Sequence, residues 1–303
     1  MKQVTERKRG NRLGFWFFRT SLKWTGLSGA YGLLYFVCLY YLIFDRTAVS
    51  ASMAYIQRRF RAFNGIRKYL AVYRLFISQG KSLIDRYYVV SGLGQFDIEL
   101  RGYDRIKGLL RDSKKGIILL TAHVGNWQVT MTALEKLGKT VYLLMSPEEN
   151  AAVKNSLNID SGNEKVKIIS PDNFLGGIIE IMKAIDEGSL VSIMGDRSYG
   201  HSTSEVALLG DRAYFPHSAF SIAAAARCPV VVLLSAKVST RKYVVDVSHV
   251  MEPRYRSRAK KKEEMEGFVQ AYARVLEDYS AEYPYQWFMF HDIWGPENKA
   301  AAN

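Results

Sequence analysis

Residues 116–128 read Gly-Ile-Ile-Leu-Leu-Thr-Ala-His-Val-Gly-Asn-Trp-Gln. The run Gly116–Ala122 is short, almost wholly apolar and rich in β-branched residues, the pattern of a strand buried on both faces. It breaks at once into His123-Val124-Gly125-Asn126, and a helical stretch, Asn126–Leu137, follows. A strand that runs through a polar turn into a helix is the opening of a βαβ unit. In such sheets the carboxyl end of a strand is where ligands bind. A histidine there, followed by Gly-Asn and then a helix, is expected to face a crevice rather than a core, with a structural histidine hydrogen-bonded in the turn as the alternative.

The same alternation continues outward. Strand-like runs at Thr140–Met145, Val166–Ser170, Leu190–Gly195, Val230–Lys237 and Tyr243–Val250 are interleaved with helical stretches at Asn173–Asp186 and His217–Arg227. Met265, Phe268, Val269, Tyr272, Leu276 and Tyr279 recur at helical spacing and mark an amphipathic helix packed on the sheet. The expected fold is α/β, a largely parallel central sheet flanked by helices. Towards the N-terminus, Ala48 to about Val90 reads as two helical stretches broken at Asn64-Gly65. No repeat or low-complexity linker is found, so residues 48–303, including helical 48–90, are expected as one domain carrying an N-terminal attachment, residues 1–47.

That attachment contains Thr25–Phe44, twenty residues without a charge. As a helix they would extend roughly 30 Å, about one hydrocarbon core. Tyr31, Tyr35, Tyr40 and Tyr41, with Phe15, Trp16, Phe17, Phe18 and Trp24 before them, suit the headgroup boundary. Gly26, Gly29 and Gly32 would make a smooth face for another helix. The segment is expected to attach the protein to a membrane, with a helix buried in the core as the alternative. A span and an interfacial helix both fit, because the flanks on either side are basic.

Charge points to anionic partners. Lys and Arg number 42 against 29 Asp and Glu, a net +13. Residues 1–23 hold seven Lys/Arg and one Glu, Arg46 to Ile84 hold eight and no acid, and Arg254 to Lys262 hold six in nine residues. Nucleic-acid binding would explain this surplus but not Thr25–Phe44, so an anionic membrane surface or an acidic carrier protein is the expected partner and nucleic acid is not. Two cysteines, Cys38 and Cys228, exclude a disulfide scaffold and a Cys-rich zinc site and favour a cytosolic catalytic face. His201 and His249 lack metal spacing, and no metal is expected. The chain has no G-x-S-x-G elbow, and Gly92-Leu93-Gly94 lacks the third glycine of a dinucleotide loop.

Further polar blocks sit at element ends: Asp196-Arg197-Ser198 after the run to Gly195, Leu208-Leu209-Gly210, Phe215-Pro216-His217-Ser218, Arg227-Cys228-Pro229-Val230, and Pro284-Tyr285-Gln286-Trp287-Phe288. In this order and spacing they resemble the lysophospholipid acyltransferase superfamily, and within it the bacterial lipid A late-acyltransferase (lauroyl/myristoyl) type. The resemblance implies transfer of a fatty acyl chain from an acyl-carrier protein or acyl-CoA thioester to a hydroxyl or amine of a lipid or lipid A-like acceptor. It implies no cofactor beyond that donor, and a bacterial inner membrane location with the catalytic face cytoplasmic. By resemblance His123 is the general base. Asp196, Arg197, Ser198, Phe215, Pro216 and His217 are expected to bind substrate, although an Asp196–Arg197 ion pair would serve structure alone. Gly125 and Asn126 are expected to position the substrate or stabilise an oxyanion, with a helix cap as the alternative for Asn126.

One position departs from the family motif, His then four residues then Asp or Glu. Residue 128 is Gln. A carboxamide can hold an imidazole but adds no charge against imidazolium, and the comparable Asp→Asn change in a serine-protease triad costs about 10⁴ in turnover. Three readings stay open at this point. Positioning by Gln128 suffices, with an amine acceptor or another carboxylate helping; or the site is silenced and the protein is a lipid-binding or scaffold homologue; or the match is accidental. An acceptor of another kind, an amino-acid lipid or a polyene, also fits.

Overall fold

The computed structural model describes residues 12–113, 115–134, 137–145, 165–197 and 203–295. Residues 1–11, Ser198, His201 and the side chains of Phe15, Trp16, Phe17 and Gln128 lie outside the described residues.

The expected strand at 116–122 forms as β2 (Ile117–Thr121), with all five residues buried. Its neighbours are β5 (Leu190–Met194) and β8 (Val230–Lys237), both parallel to it. Beyond β5 lie β3 (Val141–Leu144) and β4 (Val166–Ile169), again parallel. On the other side, β9 (Lys242–Asp246) joins β8 antiparallel and β1 (Asp97–Arg101) joins β9 parallel. The order is β1-β9-β8-β2-β5-β3-β4, with β10 (Val250–Met251) antiparallel to β8. The sheet is thus largely parallel, and β2 sits at its centre because Ile-Ile-Leu-Leu has no polar side chain to present to water.

Helices cover both faces. α4 (Tyr103–Asp112), α5 (Trp127–Leu134), α6 (Ile178–Asp186), α7 (Ser218–Ala226) and α8 (Lys261–Glu282) fall within the α/β region. The helix expected from Asn173 starts five residues later, because Phe174–Gly177 forms a 3-10 turn first. Strand Tyr243–Val250 is shorter than expected and divides into β9 and β10. A hairpin, β6 (Thr203–Leu208) with β7 (Asp211–Pro216), packs against α8 and occupies the Leu-Gly and Phe-Pro blocks.

At the N-terminus α1 (Arg12–Phe44) is longer than the uncharged stretch and is broken at Gly26, whose φ of 66° and ψ of −164° are not helical. α2 (Arg46–Arg59) and α3 (Gly65–Val90) follow, each opened by a side-chain cap, Asp45 and Asn64. Among the described residues the glycine face receives no neighbouring helix. A methyl group at Gly26 or Gly32 would meet nothing, and the close approach comes from Gly80 of α3, where a Cβ would overlap Leu34. A buried cluster locks this layer to the sheet. Asp85 accepts from the Tyr31 and Tyr243 hydroxyls and from Lys237 Nζ at 2.6 Å, joining α1, α3, β8 and β9.

Candidate active site

Parallel pairing of β2 and β5 sets Thr121 opposite Met194. Two residues further along each strand are His123 and Asp196, so the register alone brings them side by side at the carboxyl edge of the sheet. His123 Nδ1 lies 2.8 Å from Asp196 Oδ1, and the His123 backbone N–H donates to Asp196 Oδ2 at 2.8 Å. Oδ2 accepts a second bond, from the Trp287 indole N–H at 3.1 Å. The carboxylate is fully buried while the imidazole is 18% exposed. Nε2 makes no hydrogen bond among the described residues.

A buried carboxyl ordinarily resists ionisation. Burial raises the Asp196 pKa, but the His123 ring, the adjacent Arg197 guanidinium and the His123 backbone N–H outweigh it and hold the group at about 2. Asp196 is therefore an anion at neutral pH, aimed at Nδ1. With Asp196 accepting, the proton of a neutral His123 resides on Nδ1 and the lone pair on Nε2.

The segment Pro284–Phe290 closes this edge. Val124 pairs with Trp287; the Gly125 N–H donates to Gln286 O at 2.8 Å and the Phe288 N–H to His123 O at 2.8 Å. The Gln286 carboxamide clamps the end of β8, accepting from Lys237 N–H at 2.7 Å and donating to Lys237 O at 2.9 Å. Trp287 is seated edge-on against Tyr55 of α2. Tyr272 of α8 supports β2 from below, its hydroxyl donating to Thr121 O at 2.7 Å.

The remaining expected site residues divide. Gly125 is required by shape: its φ is +63° and a Cβ would overlap the Ser235 carbonyl. Asn126 is 2% exposed and caps α5, its Oδ1 accepting from Val129 N–H and its Nδ2 donating to Ser82 O. The Gly125 and Asn126 amides are taken by Gln286 O and Ser235 Oγ, so neither points at a substrate. Arg197 Nη2 donates to Phe288 O at 3.2 Å, and its buried Nε has no partner among the described residues. Phe215 is fully buried against Tyr272, and Pro216 is buried next to it. His217 stands at the start of α7, 3.3 Å from Ser204 Oγ; burial lowers its pKa, as do the Lys261 and Lys262 charges against the pull of Glu266. No contact described brings His217 to His123.

Sequence reasoning placed Asp196 with substrate or with Arg197 and did not foresee it facing His123. The role of Trp287 is not legible in the sequence; an indole donor within an aromatic block was the available signal. Among the described residues no three His, Cys, Asp or Glu side chains could together hold a metal ion.

No curated protein matches the chain. The family model described as bacterial lipid A biosynthesis acyltransferase matches residues 94–295, two thirds of the sequence, and includes His123, Asp196 and Trp287. A strand-end histidine held by a buried aspartate, on a sheet of this order, lies wholly within that match, and the chain belongs to the bacterial lipid A biosynthesis acyltransferase family.

Proposed function

We propose that this protein transfers a fatty acyl chain from a thioester, on an acyl-carrier protein or CoA, to a hydroxyl or amine of a membrane lipid. His123 Nε2 removes the proton from the acceptor as its oxygen or nitrogen attacks the thioester carbonyl. The tetrahedral intermediate collapses, the new ester or amide forms, and the C–S bond breaks. The imidazolium then returns its proton to the leaving thiolate. Asp196 fixes the ring tautomer and stabilises the imidazolium in between. Arg197, with its unoccupied Nε, is the group we assign to an acceptor phosphate.

The observation that carries this reading is the 2.8 Å contact between His123 and an anionic, buried Asp196. It also supports the reading in which Gln128 is not a silencing change. The charge that a Glu at 128 would bring to the ring is supplied from the neighbouring strand. We read the protein as an enzyme that works with Gln at 128, because an ionised, triply anchored carboxylate beside a partly exposed imidazole has no use in a scaffold homologue. The basic surface and exposed apolar α1 support a membrane-associated enzyme with an anionic carrier as donor.

The test is acyl transfer from labelled acyl-carrier protein and, separately, labelled acyl-CoA to extracted membrane lipids. Wild-type protein is expected to yield a labelled lipid, and His123→Ala none, with folding intact by circular dichroism. Gln128→Glu is expected to change the rate less than tenfold. A larger gain would show that Asp196 does not replace the family's acid, and no product with either donor would sink the catalytic reading.

A further inference from the structure

α1 and α3 carry an apolar surface that the reaction does not use. The two helices run antiparallel. Tyr31 bonds Asp85, Leu34 lies over Gly80, and the Tyr35 carbonyl accepts from the Tyr73 hydroxyl at 2.9 Å. Continuing that register places Leu39–Phe44, the end of α1, beside the first turns of α3. Both are greasy on the outside. Tyr40, Ile43 and Phe44 are 58%, 59% and 67% exposed, and Ile66 and Leu70 are 73% and 53% exposed. Arg46 and Arg67 flank this tip, exposed and without an ion pair among the described residues, and no acid occurs from Arg46 to Ile84.

We propose that this composite tip of α1 and α3 enters one leaflet of an anionic bilayer, and that α1 does not cross it. The inference deepens the lipid-acceptor reading above and rests on it for the membrane's presence. Length decides the mode. Leu27, Ala30, Tyr31, Leu34 and Cys38 are buried against the protein and Tyr41 and Leu42 partly so, which leaves the last six residues, Leu39–Phe44, exposed only on their outer side. Six helical residues reach roughly 9 Å, the depth of an interfacial insertion and about a third of a hydrocarbon core.

A full span is opposed by what α1 is attached to. Leu34 meets Gly80, two residues from Ser82; the Ser82 hydroxyl donates to Gly125 O at 3.0 Å and its carbonyl accepts from Asn126 Nδ2 at 2.9 Å. The middle of α1 is therefore level with the His123 loop. A membrane centred on α1 would carry Asp85, Lys237 and that loop into hydrocarbon, where charged groups are costly. A membrane meeting only the tip leaves His123 above the headgroups, along the axis of α3. Anionic lipid is the fit, because the rim is net basic: Arg46, Arg67 and Lys68 outnumber its one acid, Asp45, whose carboxylate caps α2.

The experiment uses the purified full chain floated with vesicles of phosphatidylcholine alone or mixed 7:3 with phosphatidylglycerol (about 30% anionic lipid, enough for a polybasic rim). Binding is expected to the mixed vesicles and to be at least about tenfold weaker to the neutral ones. Ile66→Ser/Leu70→Ser is expected to weaken it at least about tenfold with unchanged melting temperature, both side chains being exposed. In sealed vesicles from expressing cells, Trp24→Cys before the break and Lys107→Cys on α4 are expected to meet an impermeant maleimide from the same side. Labelling from opposite sides would mean that α1 crosses. Wild-type binding by the α3 double variant would remove α3 from the face. Neither readout uses acyl transfer, so a failed transfer assay and a failed membrane mode are told apart.

Discussion

Asp196→Asn removes one charge and leaves nearly the same shape, so its effect follows from the hydrogen bonds around it. Oδ2 accepts from two N–H groups, the His123 backbone and the Trp287 indole. An asparagine at 196 satisfies both only by placing its carbonyl oxygen there, which turns its NH₂ toward His123 Nδ1. That nitrogen must then accept, so the imidazole proton moves to Nε2 and the base loses its lone pair. The electrostatic loss adds to the tautomer loss. A unit charge 2.8 Å from the imidazolium is worth roughly 4–6 kcal/mol at an effective dielectric near 20. At about 1.4 kcal/mol per factor of ten, turnover should fall by about 10³–10⁴ with little change in KM. The assay is initial-rate acyl transfer at saturating donor, beside ¹⁵N spectra of the His123 ring, which should show protonation moving from Nδ1 to Nε2. A loss below tenfold, or an unmoved ring proton, would refute Asp196 as the partner of His123 and return the question to Gln128.

Other consequences are equally direct. Trp287→Phe keeps the ring against Tyr55 but deletes one donor to Oδ2, and a bond to a charged acceptor is worth about 1.5–3 kcal/mol; kcat should fall roughly 10- to 100-fold with KM unchanged. Lys237→Met leaves buried Asp85 with only its two tyrosine donors, a loss of about 3–5 kcal/mol in denaturant unfolding. The double variant Lys237→Met/Asp85→Asn should regain much of it. Because the folded Asp196 pKa lies below its ordinary value of 3.8, at about 2, ionised Asp196 stabilises the fold by roughly 2 kcal/mol above about pH 4. That contribution disappears as pH falls toward 2, and acid melts of Asp196→Asn should lack it.

The strands at the centre of the sheet were legible because burial on both faces leaves an apolar run that nothing else imitates: Ile117–Thr121 and Val230–Lys237 stand where their residues indicated. The edge was not. Asp97–Arg101 alternates charge with two apolar residues, and the hairpin strand Thr203–Leu208 buries Thr and Ser, so neither carries a strong signal. His123 was legible as a candidate because a polar turn ends its strand. Its partner was not, because the adjacency of β2 and β5 arises from crossovers through β3 and β4, and one-dimensional spacing does not report strand order. The Gly26 break was invisible for a related reason. Glycine at even spacing reads as a smooth helical face, and only the backbone angles reveal a corner.

The order in which the pieces of the dyad are synthesised has its own consequence. His123 and Asp196 are 73 residues apart, and Trp287 comes 91 residues after Asp196. The indole that anchors the carboxylate is made after both members of the pair, and closing so long a loop makes this a late contact in folding. A chain that stops short of Trp287 thus carries the histidine without its finished electrostatic setting, which is complete only when the Pro284–Phe290 segment docks.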